Sequence, residues 1–252
     1  MTQTLKNKVV VITGGAEGIG YAIANAYLEK EPKVVIILDI NEKLGAEAAA
    51  TLNSKYGDNK AVFIKCDVTA DIEAVTKEII DRYNTVDVLV NNAGITDEIQ
   101  VRKTVALNVT AVFEWTFKLW EHMRKDKGGK GGTIINISSI CGYRRDQFLP
   151  VYKGTKHAIM GFSRTIGHSF NYDITGVRVV VLCPGFTKTS LASKDKITVD
   201  PAIIRHYIDF MKNNCPWQLP DSVGKAAVDV YENAVSGTAW EIEGGKPIVE
   251  VP

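Results

Sequence analysis

Residues 9–21 read VVVITGGAEGIGY, and this stretch decides the fold. Val9–Thr13 is β-branched and apolar on both faces, as a strand must be when helices cover both sides of a parallel sheet. Gly14, Gly15, Gly18 and Gly20 follow, and a helical pattern starts at Tyr21. Glycine is needed where backbone turns sharply and approaches a pyrophosphate, and the next helix offers free N–H groups and the positive end of its dipole. The spacing is GxxxGxG and lacks the Lys-Ser/Thr of a P-loop, which argues against an NTPase.

The same strand-then-helix alternation runs outward along the chain. Further strands are expected at Val34–Asp39, Val62–Asp67, Val86–Asn91, Thr133–Ser138 and Val177–Cys183, with a seventh near Ala239–Ile242. Helical patterns lie near 18–30, 42–55, 70–83, 99–125, 152–171 and 221–235. This repetition predicts one α/β domain over residues 1–252, a doubly wound Rossmann-type parallel sheet of about seven strands with helices on both faces. The glycine cluster Gly128–Gly132 reads as a turn before a strand, not a domain linker.

Composition narrows the functional classes. Of 252 residues, 45% are hydrophobic and 23% charged, so a packed core is expected and disorder is not. A net charge of +1 supplies no field to draw nucleic acid or an anionic membrane. Cys66, Cys141, Cys183 and Cys215 form no CxxC pair, which argues against zinc and a disulfide framework and suits a reducing compartment. No apolar run approaches the ~18 residues of a membrane span. The opening MTQTLKNKVVVITGG lacks an apolar stretch ending in a small-residue cleavage site. A soluble, cytoplasmic protein is expected.

Two carboxylates end strands. Asp39 closes the second, about 20 residues past the glycines, where it can accept from the ribose hydroxyls of NAD and repel the 2′-phosphate of NADP. Glu17 adds negative charge in the glycine loop, and neither Ile40 nor Asn41 supplies a cation, so NAD is the expected cofactor. The alternative for Asp39 is to cap the next helix. Asp67 closes the third strand and can meet the adenine amino group or cap the helix near Ala70. Asn91-Asn92-Ala93-Gly94 follows the fourth strand with small residues that let a nucleotide lie against backbone.

Chemistry is carried further along. Tyr152 and Lys156 are four apart and share one helix face. An ammonium beside a phenol favours phenolate. Bringing tyrosine from its usual pKa of ~10 to near neutrality takes about 3–4 kcal/mol, after which it can serve as general base toward an alcohol. Ser139 lies thirteen residues before Tyr152, at the end of the fifth strand, and can bond a substrate oxygen.

Together, TGGAEGIG (13–20), Asp39, NNAG (91–94), Asn108 in LNVTA, Ser139 in NISS, YKGTK (152–156) and PGFTKT (184–189) resemble the short-chain dehydrogenase/reductase family over nearly the full chain. The resemblance implies a catalytic set of Ser139, Tyr152, Lys156 and Asn108, the last holding a backbone irregularity and a water that links the lysine to solvent. It implies cofactor contacts from Gly14, Gly18, Ile19, Gly20, Asp39, Ile40, Asp67, Val68, Asn92, Ala93 and Gly94. Tyr152, Lys156, Pro184, Gly185, Phe186 and Thr187 complete that set, the last three gripping the nicotinamide carboxamide. No metal is required.

Within the family the chain is similar to insect-type alcohol dehydrogenases and 15-hydroxyprostaglandin dehydrogenases. The prostaglandin branch carries a substrate-holding glutamine near the tyrosine; Leu149 stands at that position here and Gln147 is two residues off, which favours a more apolar alcohol. The resemblance implies an NAD-dependent oxidoreductase acting on an apolar or secondary alcohol or its carbonyl product. Hydroxysteroid, isoprenoid-alcohol (farnesol-like) and 15-hydroxyprostaglandin oxidation are the alternatives on the same chemistry, and a catalytically silent NAD-binding scaffold is the alternative of another class. Residues 190–218 form the expected lid, with Ile203, Ile204, Tyr207, Ile208 and Met211 at helical spacing, packed on the core or lining the pocket. Family members pair the helices matching 99–125 and 152–171, which implies a homodimer or homotetramer.

Overall fold

The computed structural model describes residues 2–190 and 200–252. Eight strands form one sheet: β1 (Val9–Thr13), β2 (Val34–Asp39), β3 (Ala61–Lys65), β4 (Val88–Asn91), β5 (Gly132–Ile137), β6 (Val177–Pro184), β7 (Ala239–Ile242) and β8 (Val249–Val251). Their order is β3-β2-β1-β4-β5-β6-β7-β8, parallel throughout except for β8, which runs antiparallel to β7. The expected seven strands become eight because β8 is three residues long with only Val251 buried, too short for a periodic signal. The described segments contain no helix long and apolar enough to cross a membrane.

Strand alternation sorts the core into two layers. Val10 and Ile12 of β1, with Val35 and Ile37 of β2, pack against Ile23 and Tyr27 of α1 (Gly18–Leu28), Leu52 of α2 (Glu42–Tyr56) and Val223 and Tyr231 of a C-terminal helix, Pro220–Asn233. Their neighbours Val9, Val11, Val34 and Ile36 face the other layer, against Val75 and Ile79 of α3 (Ile72–Tyr83) and Trp115 and Leu119 of a helix over Ala111–Met123. Burial on both faces explains why these strands read as continuous apolar runs. The order reverses between β1 and β4, and the carboxyl ends of those strands open a crevice there.

Two helices expected to be continuous are interrupted. The 99–125 segment is α4 (Val101–Val105), one π-helical turn (Ala106–Thr110) and α5 (Ala111–Met123). The π turn centres on Asn108, whose side chain bonds the N–H and the carbonyl of Ile95 at 2.9 and 2.8 Å. The 152–171 segment is α6 (Pro150–Ile166) and α7 (Ser169–Thr175). It breaks at Gly167, where a Cβ would stand 2.5 Å from the Val179 carbonyl. The remaining α-helices among the described residues are α8 (Pro201–Asn214) and α9 (Pro220–Asn233).

A buried amide network ties α6 to the sheet. Asn91 Nδ2 donates to Asn136 Oδ1 at 2.8 Å and to Thr116 Oγ1 at 3.0 Å, and Asn136 Nδ2 donates to Ser163 Oγ at 2.8 Å. Asn136 is fully buried, so its loss strands polar groups where water cannot reach them. Asn136→Ala is expected to cost about 3 kcal/mol and to lower the midpoint of thermal denaturation by roughly 10 °C; an unchanged midpoint would discount the network.

Candidate active site

The glycine loop forms where β1 meets α1. Gly14 has φ 62°, and a Cβ there would stand 2.9 Å from Ala93 Cα in the neighbouring loop. At Gly20 a Cβ would collide with the Gly14 carbonyl oxygen. Glu17 precedes α1 without a side-chain cap, and the first turn carries no acidic residue. The N–H groups of that turn are therefore left for an anion, where the helix dipole favours one. This donor set suits a pyrophosphate.

Asp39 meets this loop directly. Oδ2 accepts from the Ala16 N–H at 3.1 Å and Oδ1 from the Asn41 N–H at 2.9 Å. It does not cap α2; Asn41 does, accepting from Leu44 N–H at 3.1 Å. Asp67 likewise is not the cap of α3, which starts at Ile72. Asp67 Oδ1 accepts from the hydroxyl and N–H of Thr69 at 2.6 and 2.9 Å, and those bonds hold its carboxyl below the usual range.

A cavity of about 630 Å³ runs through the crevice. At one end lie Gly14, Gly18, Ile19, Asp39, Ile40, Asp67 and Val68; Asn92, Ala93 and Gly94 form the middle. At the other end lie Ser139, Tyr152, Lys156, Pro184, Gly185, Phe186 and Thr187. The structure thus brings together every residue expected at the site except Gly20 and Asn108, which do not line the cavity. Gly20 packs beneath the loop. Asn108 is buried behind the cavity, bonding Ile95 and donating to Thr155 Oγ1 at 3.2 Å.

At the chemical end Ser139 Oγ accepts from the Cys141 N–H at 3.1 Å and donates to the Pro184 carbonyl at 3.4 Å. Its neighbour Ser138 is turned to the Lys156 carbonyl at 3.0 Å. Lys156 Nζ donates to the Ile137 carbonyl at 2.9 Å and lies 5.5 Å from the Tyr152 ring centre. Here the structure corrects an expectation. Burial pushes the Tyr152 phenol above its ordinary value, the Cys141 thiol adds to that, and a hydrogen bond with Ser139 only partly opposes it. The same burial brings the Lys156 ammonium down to about 8, so desolvation acts against both members of the pair.

The apolar wall comes from Leu149, Phe186, Tyr207 and Trp217. Of the predicted stripe, Tyr207 and Met211 are buried and Ile203 is exposed, so α8 packs one face toward the cavity. Residues 191–199 of the expected lid lie outside the described residues. Arg144, in the loop before α6, pairs with Glu241 and Glu243 at 2.6 and 2.8 Å.

Two residues escaped the sequence reading. Gln218 donates to Thr187 Oγ1 at 3.2 Å and to the Ile242 carbonyl at 2.9 Å, pinning the 185–187 turn. Glu98 accepts from the N–H groups of Val151 and Tyr152. Neither sits in a local motif, and their partners are 31 and 54 residues away.

Gly20→Ala is expected to weaken NADH binding at least tenfold, about 1.4 kcal/mol, in a fluorescence titration. A second expectation follows from Lys156. Its folded value of about 8 lies below the 10.5 of a free lysine, so the unfolded chain binds more protons between those limits and stability rises with pH across them. Lys156→Met lacks this rise. Its stability relative to wild type should fall by about 2 kcal/mol between pH 8 and 9.5, read by urea denaturation at each pH.

Comparison with known proteins places this geometry. The family described as short chain dehydrogenase matches residues 8–199. The chain is 32% identical over 250 residues to the 15-hydroxyprostaglandin dehydrogenase [NAD(+)] of Rattus norvegicus, covering 97% of this chain and 94% of that protein. It is also 32% identical over 238 residues to alcohol dehydrogenase 2 of Ceratitis cosyra, covering 92% and 90%. The crystal structure of levodione reductase superposes with a TM-score of 0.82 over 96% of this chain and 98% of that one, at 24% identity, a likeness of fold. The chain belongs to the short chain dehydrogenase family.

Proposed function

We infer that this protein is an NAD-dependent alcohol dehydrogenase with an apolar or secondary alcohol as substrate. One observation carries the reading: a single cavity has the glycine loop and Asp39 at one end and Ser139, Tyr152 and Lys156 under an apolar wall at the other. The two relatives named above are dehydrogenases of alcohols, one with NAD(+) in its name.

In this reading Tyr152 Oη takes the alcohol proton, and Ser139 Oγ orients the alcohol oxygen. Lys156 Nζ would hold the nicotinamide ribose. A bound oxidised nicotinamide would supply the hydride acceptor and a positive charge that opposes the effect of burial on the Tyr152 phenol. Asp39 takes the ribose hydroxyls with the lone pairs that Ala16 and Asn41 leave open. Gln218 holds Thr187, which would bind the carboxamide. Asn108 acts behind the helix, holding the π turn and Thr155. The wall of Leu149, Phe186, Tyr207 and Trp217 excludes water from the reacting carbon and selects apolar chains.

The active form in this reading is a homodimer or homotetramer in the cytoplasm. Phe117 is 49% exposed on α5, edge-on to Phe162 of α6, and the space above Gly154 and Gly161 on α6 is open, which leaves room for a second copy's helices. The cysteines are free thiols, which suits a reducing compartment.

The test is NADH and NADPH formation at 340 nm against short secondary alcohols, farnesol, hydroxysteroids and a hydroxylated prostaglandin. Turnover with NAD⁺ on one class is expected, together with a loss of at least ~10³-fold in kcat for Tyr152→Phe and NADH binding within twofold of wild type. Wild-type rates in that variant would overturn the assignment of Tyr152; NADP⁺-only turnover would overturn that of Asp39.

A further inference from the structure

The helix that carries Tyr152 and Lys156 starts without an ordinary cap. Leu149 stands at the N-cap position with φ 56°, and Pro150 follows as the first helical residue. A leucine side chain offers no acceptor, and proline has no N–H. The first open donors are the N–H groups of Val151 and Tyr152. Glu98, in the loop between β4 and α4, takes both: Oε2 accepts from Val151 at 2.9 Å and Oε1 from Tyr152 at 2.8 Å. Negative charge there is also favoured by the helix dipole.

The Tyr152 carbonyl is tied back to the same loop indirectly, through Thr155 and Asn108. The Tyr152 carbonyl accepts from Thr155 Oγ1 at 2.7 Å, and Thr155 Oγ1 accepts from Asn108 Nδ2 at 3.2 Å. Asn108 also bonds both backbone groups of Ile95, three residues before Glu98. Just ahead of Glu98, Asp97 is buried, and its carboxylate accepts from the N–H groups of Ile99 and Gln100 at 3.1 and 2.9 Å. The loop is therefore braced on each side of Glu98. Its first residues, Asn92 to Thr96, line the cavity beside the glycine loop, whereas Glu98 does not.

We propose that Glu98 is a positioning residue that fixes the Tyr152 peptide to the nucleotide-facing loop, so that one segment sets both the bed of the cofactor and the aim of the phenol. The proposal rests on Tyr152 being the proton-transfer group of the reading above. Glu98 acts through the helix backbone and does not touch the reacting atoms. Misplacing a reacting group by about 1 Å can cost on the order of 10²-fold in rate, which sets the scale of the effect.

The test uses the full chain with Glu98→Ala and Glu98→Gln. Its first readout needs no turnover: amide hydrogen exchange over residues 149–156, followed by mass spectrometry. Exchange there should quicken at least tenfold in Glu98→Ala, while residues 132–137 of β5 keep wild-type protection. The second readout is kinetic. kcat should fall about 10- to 100-fold, with KM for NAD⁺ and NADH affinity within twofold of wild type. Glu98→Gln should recover part of both effects, because an amide oxygen keeps one of the two N–H bonds; it carries the same test where the alanine chain does not fold. Unchanged exchange and unchanged kcat would overturn the proposal. So would a fall in kcat matched by an equal loss of NADH binding, the mark of general damage. If wild-type protein oxidises no alcohol, the functional reading fails on its own, and the exchange readout still decides whether Glu98 anchors the helix.

Discussion

Asn92 donates from its side-chain amide to the carbonyls of Thr13 and Gly14 at 3.0 and 2.9 Å, while Thr13 Oγ1 accepts from the N–H groups of Asn92 and Ala93 at 3.0 and 3.1 Å. Four hydrogen bonds thus lock the loop after β1 to the loop after β4, at the point where the strand order reverses. The approach is so close that only glycine fits at 14 and 20. From this contact the site is built in both directions. Toward β2, the glycine loop presents Ala16 to Asp39; toward β5, the β4 loop runs through Ile95 to Glu98 and so to the helix of Tyr152.

The chemical end of the cavity works against itself electrostatically. A phenol and an ammonium are both buried, and burial raises one and lowers the other, so each resists the charged form that proton abstraction from an alcohol requires. Among the described residues, the carbonyl met by the ammonium is that of Ile137, at the end of β5. Burial holds the phenol protonated, whereas an ammonium brought down to about 8 still carries its charge in most molecules at neutral pH. Positive charge from an oxidised nicotinamide beside the phenol would offset the effect of burial.

Much of the fold was legible because burial on both faces leaves a plain mark. Val9–Thr13 and Val34–Asp39 are strands over the residues that the apolar runs indicated. The third and fourth strands are shorter than expected, Ala61–Lys65 and Val88–Asn91, although Cys66 still bonds the Asp39 carbonyl and Asp87 the Val9 carbonyl from just beyond them. The π turn at Asn108 was indicated only by resemblance, because a single inserted residue barely disturbs a helical period. The extra strand β8 left no signal at all, its pairing with β7 being set by a turn through Gly244 and Gly245.

By itself the sequence determined what depends on near neighbours: the strand–turn–helix at Gly14–Gly20, the carboxylates Asp39 at the end of β2 and Asp67 just past β3, and the Tyr152–Lys156 pair on one helix face. These follow from steric freedom, alternation and helical spacing, all short-range. The tertiary structure decided which polar groups meet across the chain: Glu98 on the N-terminus of α6, Gln218 on Thr187, and Arg144 on Glu241 and Glu243. It also decided the direction in which Tyr152 and Lys156 titrate, because desolvation is a property of the packed surroundings and not of the spacing between two residues.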